Sequence, residues 1–186
     1  AMIEGLEYRG TAFFQCFTSC QPEHGVGDNM SANQAKLVRD SRGMPEFIYN
    51  PRAGETLQDT FSLKGNPSLK RDWFETKYPK SRETYNMTVA HWALTEARFR
   101  RHLKEISITQ SSELIHIDNM LALLTQQDVT YRRVFDKKHH SYIPDWGVYF
   151  KAEVNGNFKF YKISRQMVLF HVERRKSWRM LQSRAG

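Results

Sequence analysis

Apolar positions along the chain come in short bursts, and their spacing changes from one stretch to the next. The run Thr11-Ala-Phe-Phe-Gln-Cys-Phe17 is apolar at most positions on both alternate faces, the pattern of a strand buried from two sides. Pro22, Gly25 and Gly27 follow it as a loop, and Ser31 with Gln34 reads as a capping box opening a helix from Ala32 to Ser41. Met44 to Asn50, between Gly43 and Pro51, reads as a second short strand with Pro45 confined to its start. Strand, helix and strand in this order predict a right-handed βαβ unit with parallel strands. Phe14 and Phe47 on the strands and Leu37 on the crossover helix are then core residues.

From Pro51 to Pro79 the chain turns polar and irregular, an arm wrapped on the body with a short helix over Ser68 to Phe74. Arg82 to Ile106 has neither Gly nor Pro, and Met87, Ala90, Leu94, Ala97 or Arg98, and Arg101 recur at helical spacing, which predicts one long helix. Asp118 caps a helix through Leu124, and Thr125-Gln-Gln-Asp128 opens another through Phe135. Val148 to Val154 and Phe158 to Ile163 alternate around Asn155-Gly156, the strongest two-residue hairpin signal. Ser164 caps a last helix with a stripe of Met167, Phe170, Trp178 and Leu181 interrupted by Arg174. The expected fold class is α/β: the βαβ portion of a parallel sheet plus an irregular arm, followed by a helical and β-hairpin extension. Residues 1–80 form the α/β part with its arm. Residues 81–186 form a helical region with a hairpin at about 147–163 and a basic terminal helix.

Composition narrows the function classes. Charged residues at 26% and hydrophobic residues at 40% are ordinary for a globular chain, which excludes wholesale disorder. Its longest apolar runs, Met120 to Leu124 and Met167 to Phe170, fall far short of the ~20 residues that cross a bilayer, so no membrane partner is expected. Lys and Arg number 28 against 20 acids, a net charge of +8 that steers anionic partners toward the chain. The excess clusters at Arg98 to Lys104, Arg132 to His140, and Arg174, Arg175, Lys176 and Arg179. Solvated helix faces are the ordinary explanation of such clusters. A basic interaction module that binds an acidic protein or nucleic acid is the alternative function, although no RNA-binding signature accompanies the basic residues.

The two cysteines, Cys16 and Cys20, do not make a disulfide framework, and a reducing cytoplasm is the simpler setting. With His24 they match zinc ligands in type, but four residues of strand hold the sulfurs too far apart for one tetrahedral ion. Cys16 then reads as a small core residue. Cys20 sits at the carboxyl end of the expected strand, where open α/β sheets place their ligands. No phosphate loop, dinucleotide fingerprint, nucleophile elbow or His-Glu-x-x-His is present, so no catalytic residue is assigned to the isolated chain.

The strand and loop from Tyr8 through Cys20-Gln-Pro-Glu-His24 to Gly27 are followed by Asn33-Gln-Ala-Lys-Leu-Val38, Gly43-Met-Pro-Glu-Phe-Ile-Tyr-Asn-Pro-Arg52 and Phe61-Ser-Leu63. This succession resembles the C-terminal part of the thiamine-diphosphate domain of pyruvate:ferredoxin (flavodoxin) oxidoreductases. The resemblance covers about residues 3 to 75, with a further echo at Glu96-Ala-Arg-Phe99. It implies a fragment or subunit of a 2-oxoacid oxidoreductase that decarboxylates its substrate on thiamine diphosphate and Mg and passes electrons through 4Fe-4S clusters to ferredoxin or flavodoxin. By the same resemblance Cys20 is a ligand of the cluster nearest the thiamine, a role suited to a soft thiolate. The family's Gly-Asp-Gly…Asn motif and its other cysteines are absent from this chain. The remainder of the parent oxidoreductase is therefore an implied partner, and no cofactor is expected on the chain alone. Arg174, Arg175, Lys176 and Arg179 are the candidate docking residues for an acidic electron acceptor.

Overall fold

A computed structural model describes residues 2–126 and 143–186. The expected helix from Thr125 to Phe135 and the basic cluster at Arg132 to His140 lie mostly or wholly outside the described residues.

The described residues combine helices with one mixed sheet and two small antiparallel pairs, so the α/β class holds. Helix α1 (Met2–Glu7) is followed by residues 11–20, which form no helix or strand. A single turn, α2 (Gln21–His24), a 3₁₀ turn (Asp28–Met30) and α3 (Ser31–Asp40) come next. Strand β1 (Ile48–Tyr49) pairs antiparallel with β2 (Phe61–Ser62) across the one-turn helix α4 (Leu57–Thr60).

The parallel βαβ unit is absent. Its first strand does not form, and β1 pairs with the arm instead of with residues 11–17. Phe14 and Phe47 are consequently exposed, at 42% and 50%, and Leu37 is half-buried. Ser31 opens α3 as expected, but Gln34 turns inward to exchange hydrogen bonds with Thr95 on the next helix layer, so no capping box forms.

The expected single helix over residues 82–106 is four elements. Strand β4 (Thr84–Met87) pairs with β3 (Phe74–Lys77), α5 (Val89–Ala93) is one buried turn, a 3₁₀ helix spans Ala97–His102, and β5 (Leu103–Ile106) enters the main sheet. Residues 68–73 form no helix either. Local caps break the period: the Thr88 amide donates to His91 Nδ1 at 3.1 Å, which starts a new helix there.

The hairpin and the last helix follow their pattern closely, but the region expected to be helical, residues 81–186, holds the main sheet. Strands β7 (Val148–Val154) and β8 (Asn157–Ile163) form the expected hairpin, with Asn155 at φ 53° and Gly156 at φ 82°, the left-handed pair of a two-residue turn. Strand β5 adds antiparallel to β8, and β6 (Ile115–His116) adds parallel to β7, giving the order β5-β8-β7-β6. Helix α6 (Ile108–Ser111) starts with a Ser107–Gln110 capping box, and α7 (Ile117–Gln126) buries Ile117, Met120, Leu121 and Leu124. Ser164 caps the last helix, α8 (Arg165–Ala185), its hydroxyl accepting from the Met167 amide. Val148, Phe150 and Ala152 from one sheet face, α7, and Val168 and Val172 of α8 share the main core. Further along α8, Trp178 is fully buried beside Phe61 and Leu63 of the arm. One helix thus packs against both the sheet and the arm. No helix among the described residues is long and apolar enough to cross a membrane.

Candidate functional site

Cys20 stands on a loop whose backbone is fixed from within. It occupies the N-cap of α2 in extended conformation, and its amide donates to His24 Nδ1 at 3.2 Å. The His24 amide returns a bond to the Cys20 carbonyl at 3.0 Å, and the Gly25 amide bonds Gln21 at 2.8 Å. Gly25 ends the turn at φ 64°, and a Cβ there would lie 2.6 Å from Cβ of Ala97. Only glycine meets both requirements. His24 is buried with its ring stacked on Phe17 at 6.0 Å, and Phe17 meets Trp92 edge-on at 6.4 Å. Trp92 in turn packs on Phe99 and donates its indole N–H to Glu96 at 2.8 Å.

Two pieces of sequence far apart in the chain, the Cys20 loop and the Glu96-Ala-Arg-Phe99 stretch, therefore form one packed unit. Glu96 is buried and also accepts from Arg98 Nε at 2.7 Å, so its charge is balanced inside that unit. The thiol of Cys20 is left exposed at the surface of this rigid loop.

Cys16 is exposed as well, contrary to its reading as a core residue, because the strand that would have buried it has no sheet. His24 spends Nδ1 on the Cys20 amide and stacks its ring on Phe17, and the strand that was expected to hold Cys16 and Cys20 apart does not form. Among the described residues, no three His, Cys, Asp or Glu side chains gather as a metal centre. For an iron–sulfur cluster the fit is partial: Cys20 offers one outward soft ligand, and three more would come from elsewhere.

The four candidate docking residues on α8, Arg174, Arg175, Lys176 and Arg179, do not present a common outward face. Arg179 forms a two-pronged pair with Asp72 at 2.7 and 2.6 Å, which holds its guanidinium above its ordinary pKa. Arg175 is half-buried and donates to the Leu121 carbonyl at 2.9 Å, and burial lowers its pKa. Arg174 pairs with Glu173 at 2.6 Å and reaches the Gly43 carbonyl at 3.4 Å. Lys176 is exposed. Three of the four thus tie the helix to its own molecule.

A cleft of ≈ 440 Å³ opens where β3 and β4 meet the main sheet, with Tyr85, Asn86, His91, His116, Asp118 and Tyr149 among its walls. No sequence signal pointed to it, since its walls come from four separate segments. Many of its polar groups serve one another. Tyr78 stacks on Tyr85 at 3.9 Å and donates to the Lys151 carbonyl at 2.6 Å, and Asn86 donates to Asp118 at 3.2 Å. His91 accepts from Thr88 at Nδ1 and contacts the Lys151 carbonyl through Nε2 at 3.2 Å. Burial pushes the His91 pKa down to about 3, so its ring is neutral at physiological pH and donates from Nε2.

No family model, curated protein or solved structure matches the chain. Chemical capacity must therefore be read from the geometry. Of the two places, the cleft joins the β3–β4 pair to the sheet by internal bonds. The Cys20 loop presents an exposed thiol from a turn held by internal hydrogen bonds.

Proposed function

We propose that the chain is a fragment or subunit of a thiamine-diphosphate-dependent 2-oxoacid:ferredoxin (flavodoxin) oxidoreductase. In this reading it contributes Cys20 as one ligand of a 4Fe-4S cluster and does not turn over alone. The observation that carries the reading is the Cys20 loop: an exposed thiol at the tip of a turn locked by His24 and Gly25, packed on the one later segment that shares the resemblance. A cluster ligand needs this combination, because a soft thiolate must be accessible to iron and yet held still.

The chain's own work would be positional. Gly25 sets the turn, His24 fixes the Cys20 backbone, and Phe17 and Trp92 seat the loop on the body. Thiamine diphosphate and Mg would be held by other parts of the parent enzyme, with the cytoplasm as its compartment. The basic helix does not support a separate interaction module, since Arg174, Arg175 and Arg179 are engaged internally.

The test is Cys20→Ser in the assembly purified from its own cells. Iron and acid-labile sulfide should fall by one cluster's worth, and 2-oxoacid-dependent reduction of a viologen dye should be lost, while the circular dichroism of the chain is unchanged. Cys16→Ser should alter neither. Undiminished iron and activity in the Cys20 variant would overturn the assignment.

A further inference from the structure

The main sheet has two faces of different make-up. One carries Val148, Phe150, Ala152, Tyr161 and Ile163 into the core. Alternation places the intervening side chains on the opposite face. The register there sets His116, Tyr149, Lys162 and Lys104 in one row across all four strands, from β6 to β5, with Lys151 and Phe160 in the next row. The cleft of ≈ 440 Å³ opens on this face, since His116, Tyr149, Lys151 and Phe160 belong to its walls. Its size is that of a small-ligand site, for which about 300–1,000 Å³ is usual.

The two ends of the row differ in chemistry. At the β5 end Lys104 and Lys162 stand directly opposite each other, and among the described residues neither is paired with a carboxylate. Like charges so placed repel, a cost that an anion between them would remove. In the middle, Tyr149 is half-buried, with its ring centroid 6.3 Å from that of Phe160, so two aromatic rings floor the cleft. At the β6 end His116 accepts the Asp118 amide at Nδ1 at 3.3 Å, which leaves the proton of the neutral ring on Nε2 as a donor. Asp118 accepts from Asn86 through one carboxylate oxygen and keeps the other as an acceptor. The remaining charges beside the cleft are already engaged: Lys151 pairs with Glu83, and Glu153 accepts from the Lys80 and Ser81 amides.

We propose that this row is a nucleotide site, with a nucleobase on Tyr149 and Phe160, its polar edge toward His116 and Asp118, and its phosphate between Lys104 and Lys162. The row covers three strand spacings of about 4.8 Å, roughly 14 Å in all, which suits a base, a sugar and a diphosphate laid across the strands. A phosphate without a base would leave the aromatic floor and the polar edge unused, and a nucleoside without phosphate would leave the two lysines facing each other. The net charge of +8 favours the anionic ligand from a distance. A free nucleotide and a single-stranded nucleic acid share this chemistry of base and phosphate. Cys20 supplies no wall of the cleft, so the site does not depend on the oxidoreductase reading.

Equilibrium dialysis of the full chain against labelled ADP and GDP tests the site, with adenosine, a ribose phosphate, inorganic phosphate and oligo(dT) as competitors. A nucleoside diphosphate should bind saturably and more weakly as salt rises. Tyr149→Ala should lower its affinity about tenfold or more, and Tyr149→Phe should keep it. Lys162→Glu should abolish binding and also raise the melting temperature of the ligand-free chain, because opposite charges then face each other at Lys104. That rise reports a folded variant. Cys20→Ser should bind as the unaltered chain does, so loss of iron in that variant and loss of nucleotide in the sheet variants report on separate readings. The nucleotide site is overturned if no nucleoside phosphate binds, if a ribose phosphate or inorganic phosphate competes as well as ADP does, or if Tyr149→Ala and Lys162→Glu leave the affinity unchanged. Tighter binding of oligo(dT) than of any free nucleotide, lost in the same two variants, would give the base and phosphate to a nucleic-acid strand and overturn the free ligand.

Discussion

The hairpin and final helix over residues 148–185 and the opening segment over residues 2–19 are both rich in aromatic side chains, and their fates are opposite. In the first, every second residue of β7 faces the core, and Trp178 at the far end of α8 is fully buried. In the second, Met2, Ile3, Leu6 and Phe13 are each more than half exposed. Apolar content does not separate them. Partners do: β7 finds β8 across a two-residue turn, while the opening segment has no strand near it in sequence to pair with. Burial of apolar surface drives folding only where the chain can bring a second surface to meet it.

The sharpest way to break this contrast is at Trp178. Its indole donates to the Arg71 carbonyl at 2.8 Å, and the Arg42 guanidinium lies 3.8 Å from the ring centroid. Trp178→Ala should cost about 3–5 kcal/mol in urea denaturation, since it opens a cavity and uncovers a buried cation.

Acid should act next, through His171 of the final helix and through His91, which packs against Phe150 of the hairpin. His171 is fully buried, bonded to the Met167 carbonyl at 2.7 Å and to the Thr88 hydroxyl at 3.0 Å, and burial lowers its pKa to about 4. With His91 at about 3, both folded values lie below the ordinary 6.5. The unfolded chain therefore takes up protons first as pH falls. Stability is complete above 6.5 and declines from there toward about 3, with a slope approaching about 1.4 kcal/mol per pH unit for each histidine. Denaturant midpoints between pH 7.5 and 4.5 measure the slope, and His171→Gln should roughly halve it.

Gly25→Ala should cost on the order of 1–2 kcal/mol, from the left-handed φ and the crowding against Ala97. In the assembly it should also lower iron content by displacing Cys20. Phe13→Ala marks the other end of the scale: removing a large but exposed ring should change the stability of the isolated chain by less than about 0.5 kcal/mol. A loss of several kcal/mol there would erase the difference between the two regions.

The same difference explains what could be read from the residues. Asn155-Gly156 and Ser164 encode a turn and a cap within two to four positions, so hairpin and final helix were legible in outline. Elsewhere the period misled. Residues 82–106 lack Gly and Pro, yet β4 pairs with β3 and β5 with β8, and such pairings between segments leave little trace in one segment's spacing. The local signal that was present, Ser107 with Gln110 as a capping box, marks a new helix start just past the end of that stretch. Cys20 was legible as part of a turn with Pro and Gly, but the strand whose carboxyl end it was expected to mark does not form. The inward commitments of Arg174, Arg175 and Arg179 were not, because their acceptors are mostly carbonyls and a carboxylate on other segments.

Arg42 carries one more consequence, for the order in which the molecule matures. It sits in a left-handed conformation at φ 62°, with no exposed surface, donating to the Pro67 and Ser68 carbonyls at 2.7 and 3.1 Å. Its cover is Trp178, which leaves the ribosome after every strand has been made. At about 5–20 residues per second, the arm of a nascent chain waits several seconds for the indole that closes over its cation. Until then a guanidinium that burial lowers to about 10 is still hydrated, and the arm is not yet locked. This half of the protein is therefore expected to resist proteases only when synthesis has passed Trp178, which pulse-labelled ribosome-bound chains of increasing length would reveal as a late, abrupt gain of protection.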